Sequence, residues 1–147
     1  VDLDLAAEDK VPVEDRIYPF YEYKADNGSN LYILAIRGSG LWDKIWGYVA
    51  IDKEGTIQGV SFDHKGETPG LGAEIKDSDR FKEQFKGKKI FDVQKQLVSV
   101  TVQKRSIKKP DHQVMGISGA TITSDGVTEM LQRGIKVYEN HLAELRK

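Results

Sequence analysis

The chain has 147 residues, 39% hydrophobic and 31% charged, with a formal net charge of −1. That length suits one domain with a real core, and the composition is globular rather than disordered. The near-neutral charge leaves no basic footprint for nucleic acid, and the lack of any cysteine excludes thiol catalysis, a cysteine-based zinc site and cysteine-ligated iron–sulfur clusters.

Residues 1–15 are acidic and weakly patterned, and Ile17, Tyr18, Phe20 and Tyr21 bring the first apolar cluster. Asp26-Asn27-Gly28-Ser29-Asn30 predicts a turn, because Asn and Gly tolerate positive φ. Residues 31–37 read as a nearly all-apolar strand, broken by Gly38-Ser39-Gly40-Leu41-Trp42-Asp43. Residues 46–52 and 56–63 predict a hairpin around Lys53-Glu54-Gly55. Asp63-His64-Lys65 ends its second strand, and residues 64–73, with Gly66, Pro69, Gly70 and Gly72, form a loop.

Asp77-Ser78-Asp79 predicts the cap of a short helix over residues 80–85, closed by Gly87. Lys86-Gly87-Lys88-Lys89 reads as a solvated loop. Residues 97–102 are β-rich and predict a further strand. Val127, Met130, Leu131, Ile135, Tyr138, Leu142 and Leu145 recur at helical spacing and predict one continuous helix. Strands and helices do not alternate regularly. The expected fold class is therefore α+β: a single domain with a mainly antiparallel sheet, flanking helices and a long C-terminal helix.

Three loops combine glycines with groups able to grip a ligand. In the first, Gly38 and Gly40 set bare backbone beside Leu41 and Trp42, whose indole either covers an aromatic ligand such as a flavin ring or fills the core. In the second, Glu67-Thr68-Pro69-Gly70-Leu71-Gly72-Ala73-Glu74 is either the rim for a heterocycle with carbonyl and imide edges or a surface loop with turn glycines. Glu67 and Glu74 themselves read as solvated charges more readily than as an acid–base pair. In the third, the run Gly116 to Gly126 gathers small residues and hydroxyls at a helix start. Unpartnered N–H groups there carry partial positive charge and favour a phosphate. Thr123 or Ser124 makes an ordinary N-cap, which leaves Ser118, Gly119 and Ala120 unexplained.

Neither a Walker-type loop nor a dinucleotide fingerprint is present. His64, His112 and His141 are too scattered to predict a metal site. No catalytic triad can be inferred, so no catalytic residue is assigned. No apolar stretch reaches the ~20 residues needed to cross a bilayer.

Taken together, the three loops resemble the FMN-binding domain found in the C subunit of the sodium-translocating NADH:quinone reductase, and in the G subunit of the Rnf electron-transport complex, over about residues 30–140. Ser118-Gly119-Ala120-Thr121-Ile122-Thr123-Ser124-Asp125-Gly126-Val127 carries the most specific likeness. The resemblance implies that Thr121 bears FMN through a phosphoester. Ser118, Gly119, Ala120, Thr123 and Ser124 would surround the phosphate, with Thr123 and the N–H groups of Ser124 and Asp125 receiving its remaining charge. Glu67-Thr68-Pro69-Gly70-Leu71-Gly72 matches the family's second flavin loop, and Gly40-Leu41-Trp42 resembles the quinone-reductase version of the first. Trp42, Leu41 and Leu71 would bracket the isoalloxazine, with Glu67 and Thr68 near its polar edge. One position departs from the pattern: the family's attachment signal has Asp three residues before the Ser, where this chain has Met115.

The implied function is an electron-transfer flavoprotein subunit of a sodium-translocating NADH:quinone oxidoreductase. Its implied partners are the other subunits of that membrane-bound redox complex and a flavin transferase for maturation. The implied place is the bacterial inner membrane, with the flavin domain on the periplasmic side. Residues 1–30 are expected to follow a membrane anchor upstream of Val1, and residues 31–147 to form the FMN-binding domain. The alternatives are an Rnf-type subunit, or a non-catalytic FMN-binding or sensory module with non-covalent or no FMN.

Overall fold

The computed structural model describes residues 18–147; the expectations for residues 1–15 and for Ile17 lie outside the described residues. Strands β1 (Phe20–Lys24), β2 (Asn30–Ser39), β3 (Lys44–Ile51) and β4 (Ile57–His64) follow one another as an antiparallel meander. The turn between β1 and β2 closes as its Asn-Gly chemistry requires. Gly28 has φ +84° and donates to the Ala25 carbonyl at 2.9 Å, and the Asn27 side chain accepts from Ser29 N at 3.0 Å. The β3–β4 hairpin is likewise local: Asp52 accepts Gly55 N on its carbonyl and Thr56 N on its carboxylate.

β1 lies within the stretch 1–30 that the sequence sets apart, yet it pairs along its whole length with β2, and Phe20 stacks on Tyr32 at 5.6 Å. The folded unit therefore begins before residue 31, because Tyr18 and Phe20 pack against the main core.

One face of this sheet is sealed. Tyr32, Leu34 and Ile36 of β2 join Ile45, Val49 and Ile51 of β3 and Ile57 and Phe62 of β4 in the core. Helix α3 (Thr121–Lys136) packs across β2 and contributes Val127, Met130, Leu131 and Ile135. Two short helices, α1 (Glu74–Asp77) and α2 (Asp79–Glu83), cover the β4 side. Ser78 caps α2 as expected, its hydroxyl accepting from Phe81 N at 3.1 Å. A parallel pair, β5 (Thr101–Gln103) with β6 (Gln113–Met115), lies against α3, where Val102 N donates to the Thr128 hydroxyl at 2.9 Å.

Two further expectations change. The strand expected over residues 97–102 is confined to its end. Lys95 and Ser99 hold positive φ, and the N–H groups of Val98 and Ser99 both turn onto the Ile90 carbonyl, at 2.8 and 3.0 Å. Apolar alternation is present, but the chain wraps one carbonyl rather than a neighbouring strand.

The C-terminal stripe is also divided, into α3 and α4 (Glu139–Leu145). At the joint Tyr138 N bonds to Ile135 O at 3.0 Å, a tightened turn, and the apolar face continues through it. The Tyr138 hydroxyl is shared between the carbonyls of Pro19 at 2.7 Å and Ala35 at 3.1 Å, pinning the C-terminal helices to the start of the sheet.

Burial pushes the Tyr138 phenol up to about 12, above its ordinary value of about 10. The folded state thus favours the protonated phenol, and its contribution is full below pH about 10 and lost as pH rises toward 12. Tyr138→Phe should lower stability at pH 7 by about 1 kcal/mol in urea unfolding. The variant should also lack the part of the wild-type alkaline loss that comes from this phenol.

Candidate functional site

The three loops picked out in the sequence meet at one side chain. Glu67 is only 4% exposed. Its Oε1 accepts from Leu41 N at 2.7 Å and from the Thr123 hydroxyl at 2.6 Å, and its Oε2 accepts from Trp42 N at 2.9 Å. His64 Nδ1 accepts the Glu67 N–H at 3.1 Å. The first loop, the second loop and the start of α3 are thereby held by one carboxylate. Gly40 makes this approach possible, since a Cβ there would run into the Glu67 carboxylate. Glu67 is thus a buried clamp rather than the solvated charge its loop suggested. Burial alone would raise its carboxyl pKa; the Thr123 hydroxyl and the N–H groups of Trp42 and Leu41, with the field of His64, outweigh that and lower it.

The helix start also differs from expectation. α3 begins at Thr121 with Ala120 at the N-cap, and no side chain caps it. Thr123 and Ser124 are therefore inside the first turn. The Thr123 hydroxyl is committed to Glu67, and Ser124 N donates to Ala120 O at 2.9 Å. The N–H groups left for a ligand are those of Thr121, Ile122 and Thr123, not those of Ser124 and Asp125.

Beside this start lies an open groove of about 250 Å³. Leu41, Trp42, Thr68 and Leu71 line one side and Gly119, Ala120, Thr121 and Ile122 the other, with Gly72 and Thr123 also reached. Trp42 is 68% exposed, so its indole is not a core filler; it stands over the groove with Nε1 donating to the Thr68 hydroxyl at 3.2 Å. Leu41, Leu71 and Ile122 are exposed around it. A second cleft, of about 260 Å³, adjoins the first and shares Gly119 and Thr121 with it. Ser118 and Ser124 face this second cleft, together with Gln103, Lys104 and Met115. The departure at Met115 thus falls beside Thr121, with its backbone gripped by Gln84 at 2.8 and 3.0 Å.

Of the residues predicted for the site, Gly40 and Glu67 stand behind the groove, and exposed Gly70 lines neither cleft. Ile122 escaped the sequence reading, although an apolar residue off the helical stripe was a signal for it. Gln103 and Lys104 carried no local signal, because only the docking of β5 on α3 brings them near Thr121.

The groove suits a ligand with a flat apolar body, hydrogen-bonding edges and an anionic end. Exposed Trp42 and three aliphatic side chains meet the body, the Thr68 hydroxyl meets an edge, and the uncapped N–H groups meet the anion. FMN has these parts, so the residues fit it. Among the described residues no cluster of three side chains able to hold a metal is found.

The clamp is testable on its own. A lowered carboxyl pKa means Glu67 adds stability that is present above the ordinary value of about 4.3 and is lost as pH falls through its folded value. Glu67→Gln should cost about 2 kcal/mol at pH 7 and flatten the stability profile between neutral and acid pH, measured by urea unfolding. A variant as stable as wild type at pH 7 would show that the carboxylate holds nothing.

Residues 40–136 match the model of the FMN-binding domain family. The chain is 42% identical over 113 residues, 76% of its length, to the C subunit of the Na(+)-translocating NADH-quinone reductase of Yersinia pestis, and 37% identical over 97% of its length to that of Pseudomonas aeruginosa. It spans about half the length of these curated relatives, 42% of the first and 57% of the second. Among solved structures, the C subunit from Parabacteroides distasonis matches with a TM-score of 0.83 and 42% identity, covering 97% of this chain and 71% of that one. NqrC from Shewanella oneidensis matches with a TM-score of 0.70 and 28% identity, covering 85% of this chain and 60% of that one. The chain belongs to the FMN-binding domain family, in the NqrC group, the C subunits of the Na(+)-translocating NADH-quinone reductases.

Proposed function

We propose that this chain is the electron-carrying part of an NqrC protein, holding FMN through a phosphoester on Thr121 and passing electrons between partners in a membrane-bound sodium-translocating NADH:quinone reductase. One observation carries the reading. Thr121, an exposed residue, lies at the uncapped start of α3, on the wall of a groove overhung by a solvent-facing indole. An anionic end and a flat apolar body can be held there at once.

When bound, FMN supplies redox chemistry at its isoalloxazine; the protein supplies position and field. Trp42, Leu41 and Leu71, which line the groove, would hold the ring, and Thr68, already bonded to the Trp42 indole, would offer its hydroxyl to a polar edge. The N–H groups of Thr121, Ile122 and Thr123 offset phosphate charge. The groove stays open, which suits a carrier whose ring edge must be reached by other proteins. Among the described residues, the groove lining holds no carboxylate, imidazole or amine, which supports reading it as a relay.

Forming the ester would need the Thr121 hydroxyl to lose its proton and a flavin phosphoanhydride to release its other phosphate as the leaving group, because condensation with FMN itself would have to expel water. A separate transferase is therefore part of the proposal. So is a membrane anchor upstream, with the flavin domain on the extracytoplasmic side. Met115 favours a second reading, in which the same groove holds FMN without the bond.

Co-expression with a flavin transferase, denaturation and intact-mass measurement should show one added FMN. The mass should be lost in Thr121→Ala and kept in Thr123→Ala. A colourless chain of unmodified mass would sink the covalent reading. Met115→Asp should raise the modified fraction under limiting transferase; an unchanged fraction would show that this position does not govern attachment.

A further inference from the structure

The near-zero net charge hides a division. Residues 80–113 carry ten Lys and Arg against three Asp and Glu, so the rest of the chain stands at −8 although the whole is −1. The fold draws two parts of this stretch together. Lys89 N donates to the Asp111 carbonyl at 2.8 Å, Lys88 Nζ donates to the Pro110 carbonyl at 2.5 Å, and His112 Nδ1 meets the Lys89 carbonyl at 2.7 Å. The Lys-rich run at 86–89 is thereby joined to the connection between β5 and β6, where residues 104–111 are exposed at every position. That connection is held in shape. Gln113 Oε1 accepts from Lys108 N at 2.8 Å and Lys109 N at 2.9 Å, and His112 N donates to the Lys109 carbonyl at 2.9 Å.

Few carboxylates answer these cations. Asp125 holds Lys104 at 3.3 Å, and Asp111 stands 3.9 Å from Lys89. Among the described residues Arg105, Lys108 and Lys109 have no acidic partner. Like charges gathered on a fixed loop repel one another, and an anionic partner relieves that repulsion. Its composition selects the partner. Of the six cations at 88, 89, 104, 105, 108 and 109, five are Lys, whose compact mobile charge suits headgroups that shift sideways; matched protein carboxylates favour the planar fork of Arg. No aromatic residue lies in 104–111, whereas protein interfaces are enriched in aromatics and poor in Lys. Ile107 is 36% exposed between Arg105 and Lys108, an apolar tip among cations.

We propose that the 104–109 loop, with Lys88 and Lys89 beside it, rests on an anionic lipid surface, with Ile107 seated in the headgroup layer. Only the upstream anchor is carried over from the proposed function: tethering raises the effective concentration and makes a weak contact count. Flavin plays no part, so failure here leaves that reading intact. Lys104 is also a wall of the second cleft, so the contact fixes how the cleft beside Thr121 is turned relative to the bilayer.

The test is cosedimentation of the chain with vesicles of phosphatidylcholine alone and with one-third phosphatidylglycerol. Binding should require the anionic lipid and weaken with salt, because screening sets in over about 8 Å at about 0.15 M. Combined Arg105→Gln, Lys108→Gln and Lys109→Gln should weaken it about a hundredfold, each cation being worth about fivefold, with the melting temperature unchanged or raised. Asp111→Asn should strengthen it. The same charge change at Lys24, Lys65 and Lys136, all exposed on other elements, should have little effect. Ile107→Trp should add an emission blue shift on anionic vesicles that wild type lacks. Absence of binding to anionic vesicles, equal binding to both vesicle types, equal loss in the two triple variants, or no added shift would overturn the proposal. Displacement from the vesicles by polyglutamate at equal charge would also overturn it, and would assign the surface to an acidic protein.

Discussion

The Glu67 carboxylate is the constraint on which the site depends. A charged group taken out of water must be repaid by donors, or it stays protonated or outside. Glu67 draws its donors from two segments far away in sequence, the N–H groups of Leu41 and Trp42 and the hydroxyl of Thr123. Satisfying one buried charge thereby fixes the relative positions of the first loop, the second loop and the start of α3. The sheet behind it contributes rigidity: β2 and β3 run directly into the first loop, and α3 is packed along β2 by Val127, Met130 and Leu131.

That arrangement leaves two features that a purely structural protein would avoid. Trp42, Leu41, Leu71 and Ile122 are exposed around one groove, and the first turn of α3 has no side-chain cap. Each is unfavourable in isolation, one as apolar surface in water and the other as N–H groups without a protein partner. An amphiphilic nucleotide relieves both. Binding and stability are then coupled through Glu67, since the clamp that costs desolvation is also what brings the apolar wall within reach of the helix start. The groove stays open to solvent on one side.

How much of this was legible in the sequence depended on how local each interaction is. The Asn27-Gly28 turn, the hairpin at Gly55 and the Ser78 cap are set by residues a few positions apart, and all stand where the sequence put them. The strand expected over residues 97–102 failed because Ser99 holds positive φ where the N–H groups of Val98 and Ser99 turn onto the Ile90 carbonyl, which alternation cannot reveal. Glu67 looked like a surface charge because its donors lie 25, 26 and 56 residues away. Thr123 looked like a cap because hydroxyls at helix starts usually are; the helix instead begins earlier and the hydroxyl serves the clamp. The loop motifs indicated the ligand class, while the fold supplied the division of labour among them: Gly40 and Glu67 for construction, Trp42 and Leu71 for the wall, Thr121 at the junction of two clefts.

The most direct test of this account is a crystal structure of the flavin-loaded chain. It should show density continuous from Thr121 Oγ1 to phosphorus, the isoalloxazine in van der Waals contact with Trp42 and Leu71, and Glu67 still bonded to Leu41, Trp42 and Thr123. A flavin seated away from the Trp42 groove, or seated there with the Glu67 contacts broken, would contradict it.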